Sequence, residues 1–551
     1  MTSVTRRRGS RLLSTAAGLT AVALVLTACS GGGDDETQDD GDTSTAGGSL
    51  TVGTTDKITT IDPAGSYDNG SFAVMNQVFP FLLNTPPGSP DVEPDIAESA
   101  EFTAPTEYTV TLKEGLTFAN GNELTASDVA FTFDRQLAIN DPNGPASLLY
   151  NLDRTEAVDD TTVVFHLKSP DDQVFPQILS SPAGPIVDED VFAADALTPD
   201  QEIVDGNAFA GPYVITGYDL NNLVSYEANP EYQGLLGEPK TAEVNVKYSA
   251  EASNLKLDIQ EGNIDVAFRS LSATDIEDLR GVDDVKVVDG PGGEIRYIVF
   301  NFDTQPYGAA TSEGDEGKAL AVRQAVADLI DREEIAEQVY KGTFTPLYSY
   351  VPAGLTGATE VLQELYGDGD GGPDVDKATS RLEEAGVTTP VALSLQYSND
   401  HYGPSSGDEY ALIKDQLESS GLFTVDLQTT EWVQYSKDRT ADVYPAYQLG
   451  WFPDYSDADN YLTPFFLTEN FLGNHYENSE VNDMILAQAS TPDEGERTAL
   501  IEDIQEAVAT DLSTVPYLQG AQVAVVGSGV SGAEDTLDAS FKFRYGALSK
   551  D

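Results

Sequence analysis

The first 35 residues differ sharply from the rest of the chain in charge and apolar character. Four arginines open the chain, and no acidic residue precedes Asp34. An apolar run from Ala16 to Leu26 follows and leads into Thr27-Ala28-Cys29. A basic start, a short apolar stretch and small residues before a cut are the parts of a secretory signal peptide. The run is too short for a transmembrane span, which needs about 20 apolar residues. We therefore expect residues 1–28 to be a leader.

Cys29 is the one cysteine in 551 residues. The sequence Leu-Thr-Ala-Cys that it closes resembles the bacterial lipoprotein lipobox, which implies that the cysteine is acylated and becomes the first residue of the mature chain. The alternatives are an ordinary signal peptide with a chance cysteine, or a transmembrane anchor. Residues 29–48 are acidic and rich in Ser, Thr and Gly, so we expect a disordered tether. These features predict a lipid-anchored protein on the outer face of the cell membrane.

The chain is strongly acidic, with 29 Lys+Arg against 93 Asp+Glu and a net charge of −64. Loss of the four leader arginines takes the charge to −68. Binding to nucleic acid or anionic lipid needs basic surface, so we expect neither. A cationic substrate is one interpretation, and solubility is the simpler one, because net charge governs solubility rather than fold. With Cys29 lipidated no disulfide can form, so packing must hold several lobes together.

Beyond residue 48, strand and helix patterns alternate. Thr125 is predicted to cap a helix with Asp128 three residues later. Apolar residues at three- and four-residue spacing predict one helix over 318–340 and another through 497–509. Asp376 is predicted to cap a helix that runs from 377 to 385. Alternating apolar residues predict strands at 49–53, 107–112, 162–167 and 244–248.

Catalytic and metal-binding motifs are absent from the sequence. His166, His401 and His475 are scattered, and no His-Glu-x-x-His, Gly-x-Ser-x-Gly, Cys-x-x-Cys or phosphate-binding loop occurs. The loop at 366–376 departs from the EF-hand pattern. The 93 acidic residues offer many pairs of carboxylates like those of a glycosidase, so a secreted hydrolase is an alternative. We expect no enzyme, no cofactor and no metal, and the few histidines and methionines disfavour nickel or haem capture.

The stretch at 100–121, AEFTAPTEYTVTLKEGLTFANG, resembles the signature of the bacterial extracellular solute-binding proteins of family 5. Further segments also match this family, and one of them, Gly450-Trp451-Phe452-Pro453-Asp454-Tyr455, resembles its oligopeptide- and dipeptide-binding branch. The likeness runs in the family's order from about 49 to 550. The further segments are Gly211-Pro212-Tyr213 with Asn229-Pro230-Glu231-Tyr232, Gly262-Asn263-Ile264-Asp265, Phe300-Asn301, Val322-Arg323-Gln324-Ala325, Asp331-Arg332, Leu382-Glu383-Glu384-Ala385-Gly386, and Gly450-Trp451-Phe452-Pro453-Asp454-Tyr455.

The resemblance implies an α/β, periplasmic-binding-protein-like fold, in which two lobes close by a hinge on a ligand and an extra domain extends the first lobe. It implies a monomer that captures a short peptide and delivers it to an ABC permease in the membrane without catalysis. The implied division is a discontinuous first lobe at 49–83, 204–292 and 523–551, an extra domain at 84–203, and an opposing lobe at 293–522.

The resemblance also implies a set of ligand-binding residues. Asp454, in a W-x-x-D-Y motif, would pair with the peptide α-ammonium, or else cap a turn beside Pro453. Trp432 would wall a side-chain pocket, or else pack in the core. The other members are Trp451 of the same motif, the loop Tyr67-Asp68-Asn69, whose backbone would pair with ligand, and Arg439 and His401, which would meet the C-terminal carboxylate or else lie on the surface.

A family member that binds oligosaccharides is the alternative to a peptide binder. Sugars would stack on Trp432, Trp451 and the many tyrosines, and they would need no pairing between Asp454 and an ammonium group. The two ligand classes therefore make different predictions for the same carboxylate.

Overall fold

The computed structural model describes residues 48–269, 271–403, 405–540 and 542–551. The predicted leader, Cys29 and the predicted tether up to residue 47 lie outside these described residues. Within the described residues, no helix combines the length and the apolar character that a membrane span requires. Three sheets of four or more strands organise the fold, and each is packed on its own apolar core.

A seven-stranded mixed sheet gathers segments from both ends of the chain and from its middle. Its strand Ser49–Thr54 lies parallel to two neighbours, at 243–248 and 266–268. We call this sheet with its helices the first lobe. In spatial order its strands are Val285–Gly290, Gln522–Gly527, Val266–Phe268, Ser49–Thr54, Glu243–Tyr248, Leu223–Ala228 and Tyr213–Asp219.

A six-stranded sheet forms what we call the second lobe. Its strand Ile295–Phe300 is buried at every position, because antiparallel strands flank it and the lobe's core covers its faces. Apart from Arg296, its sequence is a continuous apolar run rather than an alternating one. In spatial order the strands are Phe344–Pro346, Thr514–Gly520, Ile295–Phe300, Ala446–Trp451, Val391–Ser398 and Phe423–Thr430.

A four-stranded antiparallel sheet lies between residues 97 and 167, with the strand order Ala97–Ala104, Glu107–Leu112, Thr162–Leu167 and Leu152–Ala157. Its strand Glu107–Leu112 alternates half-buried and buried residues, as expected of a sheet with one face on a core. Two short strand pairs complete the set, Leu83–Asn84 with Glu93–Pro94 and Val530–Ser531 with Ser549–Lys550.

Helices cover the sheets. Three are short 3₁₀ segments, at Pro63–Gly65, Pro145–Leu149 and Tyr545–Ala547. The α-helices are Asn69–Val78, Ala126–Ile139, Phe175–Ile178, Asp200–Asp205, Ala252–Glu261, Ala273–Leu279, Glu316–Leu329, Arg332–Gln338, Val361–Leu365, Val375–Glu384, Ser406–Ser419, Trp432–Thr440, Asp459–Phe466, Ser479–Gln488 and Glu494–Asp511.

Local sequence signals are mostly confirmed. The four predicted strands are present, and Thr125 forms the expected capping box with Asp128. The single helix over 318–340 is wrong, because Ile330 is extended and Asp331 caps a second helix by accepting from the Glu334 N–H at 2.9 Å. The predicted helix cap at Asp376 is also wrong, because this helix begins at Val375 rather than at 377.

The chain passes between the two large sheets through two adjacent connections in the described residues, at 291–294 and at Ala521. The two connections lie side by side: the N–H of Gly520, the residue before Ala521, donates to the Glu294 carbonyl at 2.8 Å. Gly292 lies so close to this second connection that an added Cβ would stand 2.3 Å from the Gly520 oxygen. Two short paired connections of this kind form a hinge.

Candidate functional site

A cavity of about 480 Å³ opens between the two lobes. The first lobe supplies the loop before the helix Asn69–Val78, the end of the strand Val266–Phe268, and the residues Ser540, Phe543 and Tyr545. This volume is typical of small-ligand pockets. Of the eight ligand-site residues implied by resemblance, seven line the cavity, namely Tyr67, Asp68, Asn69, His401, Trp432, Trp451 and Asp454.

The turn that carries Asp454 is built around Asn460. The strand that ends at Trp451 leads through this turn into the helix Asp459–Phe466. The Asn460 Oδ1 atom accepts from the Trp451 indole N–H and from the Asp454 backbone N–H, both at 2.9 Å. Its Nδ2 donates to the Asp454 carboxylate at 3.2 Å. One amide therefore holds the indole and the carboxylate in a fixed relation.

Asp454 faces the opposite lobe and receives a hydrogen bond from the Tyr67 hydroxyl. Burial raises the pKa of the Asp454 carboxyl, and the hydrogen bonds from Tyr67 and Asn460 only partly oppose this. The charge of Asp454 adds to burial in raising the pKa of the Tyr67 hydroxyl. No lysine or arginine of the described residues contributes to the pKa of Asp454. A carboxylate in a cleft without a cationic partner is suited to accept a cation from a ligand.

Asp68 and Asn69 lie beside Tyr67 at the start of a helix. The Asp68 carboxylate caps this helix by accepting from the Ser71 N–H at 2.8 Å, and it also accepts from the Ser66 hydroxyl at 3.0 Å. Its oxygens are therefore engaged in holding the loop. The contribution of Asp68 to the cavity wall is to position its neighbours.

Trp432 and His401 form a stacked pair on the second lobe, with ring centroids 3.6 Å apart and planes within 4°. The Trp432 backbone N–H donates to the Asp400 carboxylate at 2.9 Å, which holds the start of the helix Trp432–Thr440 against the loop that carries His401. Burial, and then the charge of Arg296, lower the pKa of His401 to about 4. His401 is therefore a neutral ring at physiological pH rather than a cation.

Arg439 is the one residue of the implied set that does not line the cavity. It is 4% exposed, and its Nη1 donates to the carbonyls of Phe471 and Leu472, each at 3.2 Å. The guanidinium also covers the Phe471 ring at 4.6 Å from its centroid. Phe471 lines the cavity, so Arg439 supports the wall from behind. The implied direct contact between Arg439 and a ligand carboxylate has no support in this geometry.

The first-lobe wall contains residues that the motifs did not indicate. Phe268 stacks on Phe543 with centroids 4.1 Å apart, and Phe543 meets Tyr545 edge to face. Arg269 follows Phe268 and also lines the cavity. Phe543, Arg544 and Tyr545 are all buried, and no local sequence pattern tells which cleft the aromatic rings face. Asn460 was missed for a similar reason, since its bonds reach back across a turn.

A model of the bacterial extracellular solute-binding proteins, family 5, matches residues 91–473, which is more than half of the chain. The chain belongs to this family. A relative is the probable D,D-dipeptide-binding periplasmic protein of Escherichia coli, 24% identical over 481 residues that cover 85% of this chain and 88% of the relative.

Solved structures place this family-5 protein in the same fold. The substrate-binding protein CtaP of an ABC transporter from Listeria monocytogenes aligns with a TM-score of 0.76 at 25% identity and covers 92% of this chain and 100% of its own. A dipeptide-binding protein of Pseudoalteromonas in complex with Met-Leu aligns with a TM-score of 0.70 at 20% identity, with the same coverage. The expected two-lobed α/β fold is thereby confirmed.

Proposed function

We propose that this protein is the extracellular substrate-binding component of an ABC importer and that it captures short peptides between its lobes. The peptide α-ammonium binds the Asp454 carboxylate, and closure of the lobes about the connections at 291–294 and Ala521 buries the ligand. The protein then presents the ligand to the permease. It performs no chemistry on the peptide.

The observation that carries this proposal is the environment of Asp454. Its carboxyl is buried enough to have a raised pKa, and its polar partners among the described residues are the Tyr67 hydroxyl and the Asn460 amide, which are both neutral. Binding an ammonium group would stabilise the charged carboxylate. A protein that accepts peptides of different sequence needs such a contact, because the α-ammonium is common to all peptides whereas the side chains differ.

Relatives support a peptide as the ligand class. The Escherichia coli relative is named for D,D-dipeptides, and the Pseudoalteromonas structure contains Met-Leu. The cavity walls suit the side chains of such ligands, since Phe268, Phe543, Trp432, Trp451 and Phe471 surround the space.

Oligosaccharide binding is the second candidate, because aromatic rings on both walls could stack on sugars. One face of Trp432 is already covered by the stacked His401 ring, which leaves less aromatic surface for a sugar. Unlike a peptide, a sugar offers no cation to Asp454.

Calorimetric titration distinguishes the two candidates. The protein is titrated with alanine-, leucine- and phenylalanine-containing di- and tripeptides and with a cello- and malto-oligosaccharide series. Saturable binding of peptides, lost when the amino group is acetylated, is the expected result. Binding of oligosaccharides alone would overturn the proposal.

We further propose that lipid on Cys29 holds the protein at the outer face of the membrane and that the lobes follow the division 49–83 with 204–292 and 523–551, 84–203, and 293–522. Apart from Gln522, the first residue of the strand Gln522–Gly527, the strands of each large sheet fall within one of these groups, which supports the division. Replacing Cys29 by serine should move the protein from the membrane fraction into the medium and abolish labelling by a fatty acid. Unchanged membrane retention would contradict the lipid anchor.

A further inference from the structure

We propose that Arg269 binds the anionic end of the ligand, so that the site is specific for short zwitterionic peptides with a free C-terminal carboxylate. This inference rests on the proposed peptide-binding function and adds a second charged contact to it. Asp454 belongs to the second lobe and Arg269 to the first, so one ligand would join the two walls by its two ends.

Arg269 is the one lysine or arginine among the described residues that line the cavity. Three carboxylates share that lining, namely Asp56, Asp68 and Asp454. An anionic group entering the cavity would meet repulsion at each of them. The guanidinium of Arg269 is therefore the place in the lining where a carboxylate can gain a charged partner.

Three other candidates for this role are excluded by their surroundings. Arg439 lies behind Phe471 and donates to backbone carbonyls. Arg296 is 3% exposed, pairs with the Glu294 carboxylate and lies outside the lining. His401 does line the cavity, but its ring is neutral because burial and Arg296 lower its pKa. It can donate a hydrogen bond, but it cannot supply a positive charge.

Arg269 lies beside a carboxylate of the cavity lining. Its Nη1 atom is 3.9 Å from Asp56 Oδ2, within reach of an ion pair. A guanidinium has five N–H donors in a fixed fork, more than one carboxylate accepts. Arg269 can thus hold a ligand carboxylate in two-point contact while Asp56 stays nearby and orients it.

The backbone at this position also singles out the side chain. Arg269 has φ of +59°, a left-handed conformation that glycine or asparagine would adopt with less strain. The residue ends the strand Val266–Phe268 and directly follows the stacked Phe268 ring. An arginine in a conformation that disfavours it is consistent with a requirement for its side chain at the cavity.

The test compares free peptides with their C-terminal amides. Exported full-length protein is incubated with a pool of tripeptides built from alanine, leucine and phenylalanine, as free acids and as amides, and captured peptides are quantified by native mass spectrometry. Wild-type protein, Arg269→Gln, Arg269→Lys and the control Arg280→Gln are compared. Arg280 pairs with Asp289 on the same lobe, does not line the cavity, and reports the effect of removing one positive charge.

We expect wild-type protein and Arg280→Gln to prefer free acids over amides by about 10- to 100-fold. Arg269→Gln should lose this preference while it still captures amides at the wild-type level, and Arg269→Lys should retain part of it. Equal capture of acids and amides by wild-type protein, or an unchanged preference in Arg269→Gln, would overturn the role of Arg269 and leave peptide binding intact. Capture of neither form would instead refute the peptide-binding function on which the inference rests. Melting temperatures of all variants show that the fold is retained.

Discussion

Replacing Asp454 by asparagine should weaken peptide binding strongly and leave the fold intact. Asparagine keeps the shape of the side chain and can still accept from the Tyr67 hydroxyl, but it removes the negative charge. A charge-assisted hydrogen bond contributes roughly 1.5–3 kcal/mol. At about 1.4 kcal/mol per factor of ten, the peptide dissociation constant should rise about 10- to 150-fold. Because burial already disfavours the charge of Asp454, the melting temperature should not fall.

Isothermal titration with one tripeptide and its N-acetylated form provides the assay. The wild-type preference for the free amino group should disappear in Asp454→Asn, since without the carboxylate neither the free nor the acetylated tripeptide can form the ion pair. Asp426→Asn, at an exposed strand position, is the control for net charge and should bind as wild type does. A change of less than threefold in Asp454→Asn would refute the reasoning.

Three further predictions concern the hinge, the core and pH. Gly292→Ala should reduce peptide affinity by slowing or distorting closure of the lobes, because the new Cβ would stand 2.3 Å from the Gly520 backbone oxygen. Small-angle X-ray scattering with and without peptide should show incomplete compaction of this variant, and full compaction would contradict the prediction. Arg135→Met should destabilise the protein by about 3–5 kcal/mol in urea unfolding, because it strands the fully buried Asp62 carboxylate that Arg135 now binds at 2.6 Å; a loss below 1 kcal/mol would count against the buried pair. Burial raises the pKa of Asp459 to about 6, so the native state binds this proton more tightly than the unfolded chain does. The free energy of unfolding should therefore rise as the pH falls from 7 towards 5. Asp459→Asn should show a smaller rise than wild type, and a rise of equal size would contradict the assignment.

The fold could be predicted from the sequence where the signals were local or carried by motifs. The strand at 107–112 alternates strictly, and Thr125 with Asp128 forms a capping box, so neither needed tertiary information. The helix predicted over 318–340 failed because apolar spacing continues through Ile330, whereas the Asp331 cap that interrupts it is a single side-chain contact. Periodicity indicates burial, and it does not show where the backbone turns.

The candidate site likewise contains residues that a contiguous motif indicated and residues that depend on tertiary contacts. Asp454 and Trp451 belong to a contiguous motif and line the cavity as the resemblance implied. Arg439 was implied by its spacing from Trp451, but its guanidinium turns to backbone carbonyls behind the wall. Asn460 and Arg269 matter through contacts that depend on how turns and lobes come together. Such contacts are set by tertiary structure, and no single-sequence pattern encodes them.

The central claim is that a peptide fills the cavity, and native mass spectrometry of the exported protein tests it most directly. The protein is purified without added ligand, sprayed intact, and then denatured so that whatever co-purified can be identified. We expect masses of short peptides with free amino groups that are absent from a parallel preparation of Asp454→Asn. A ladder of hexose masses, retained in Asp454→Asn, would contradict the claim.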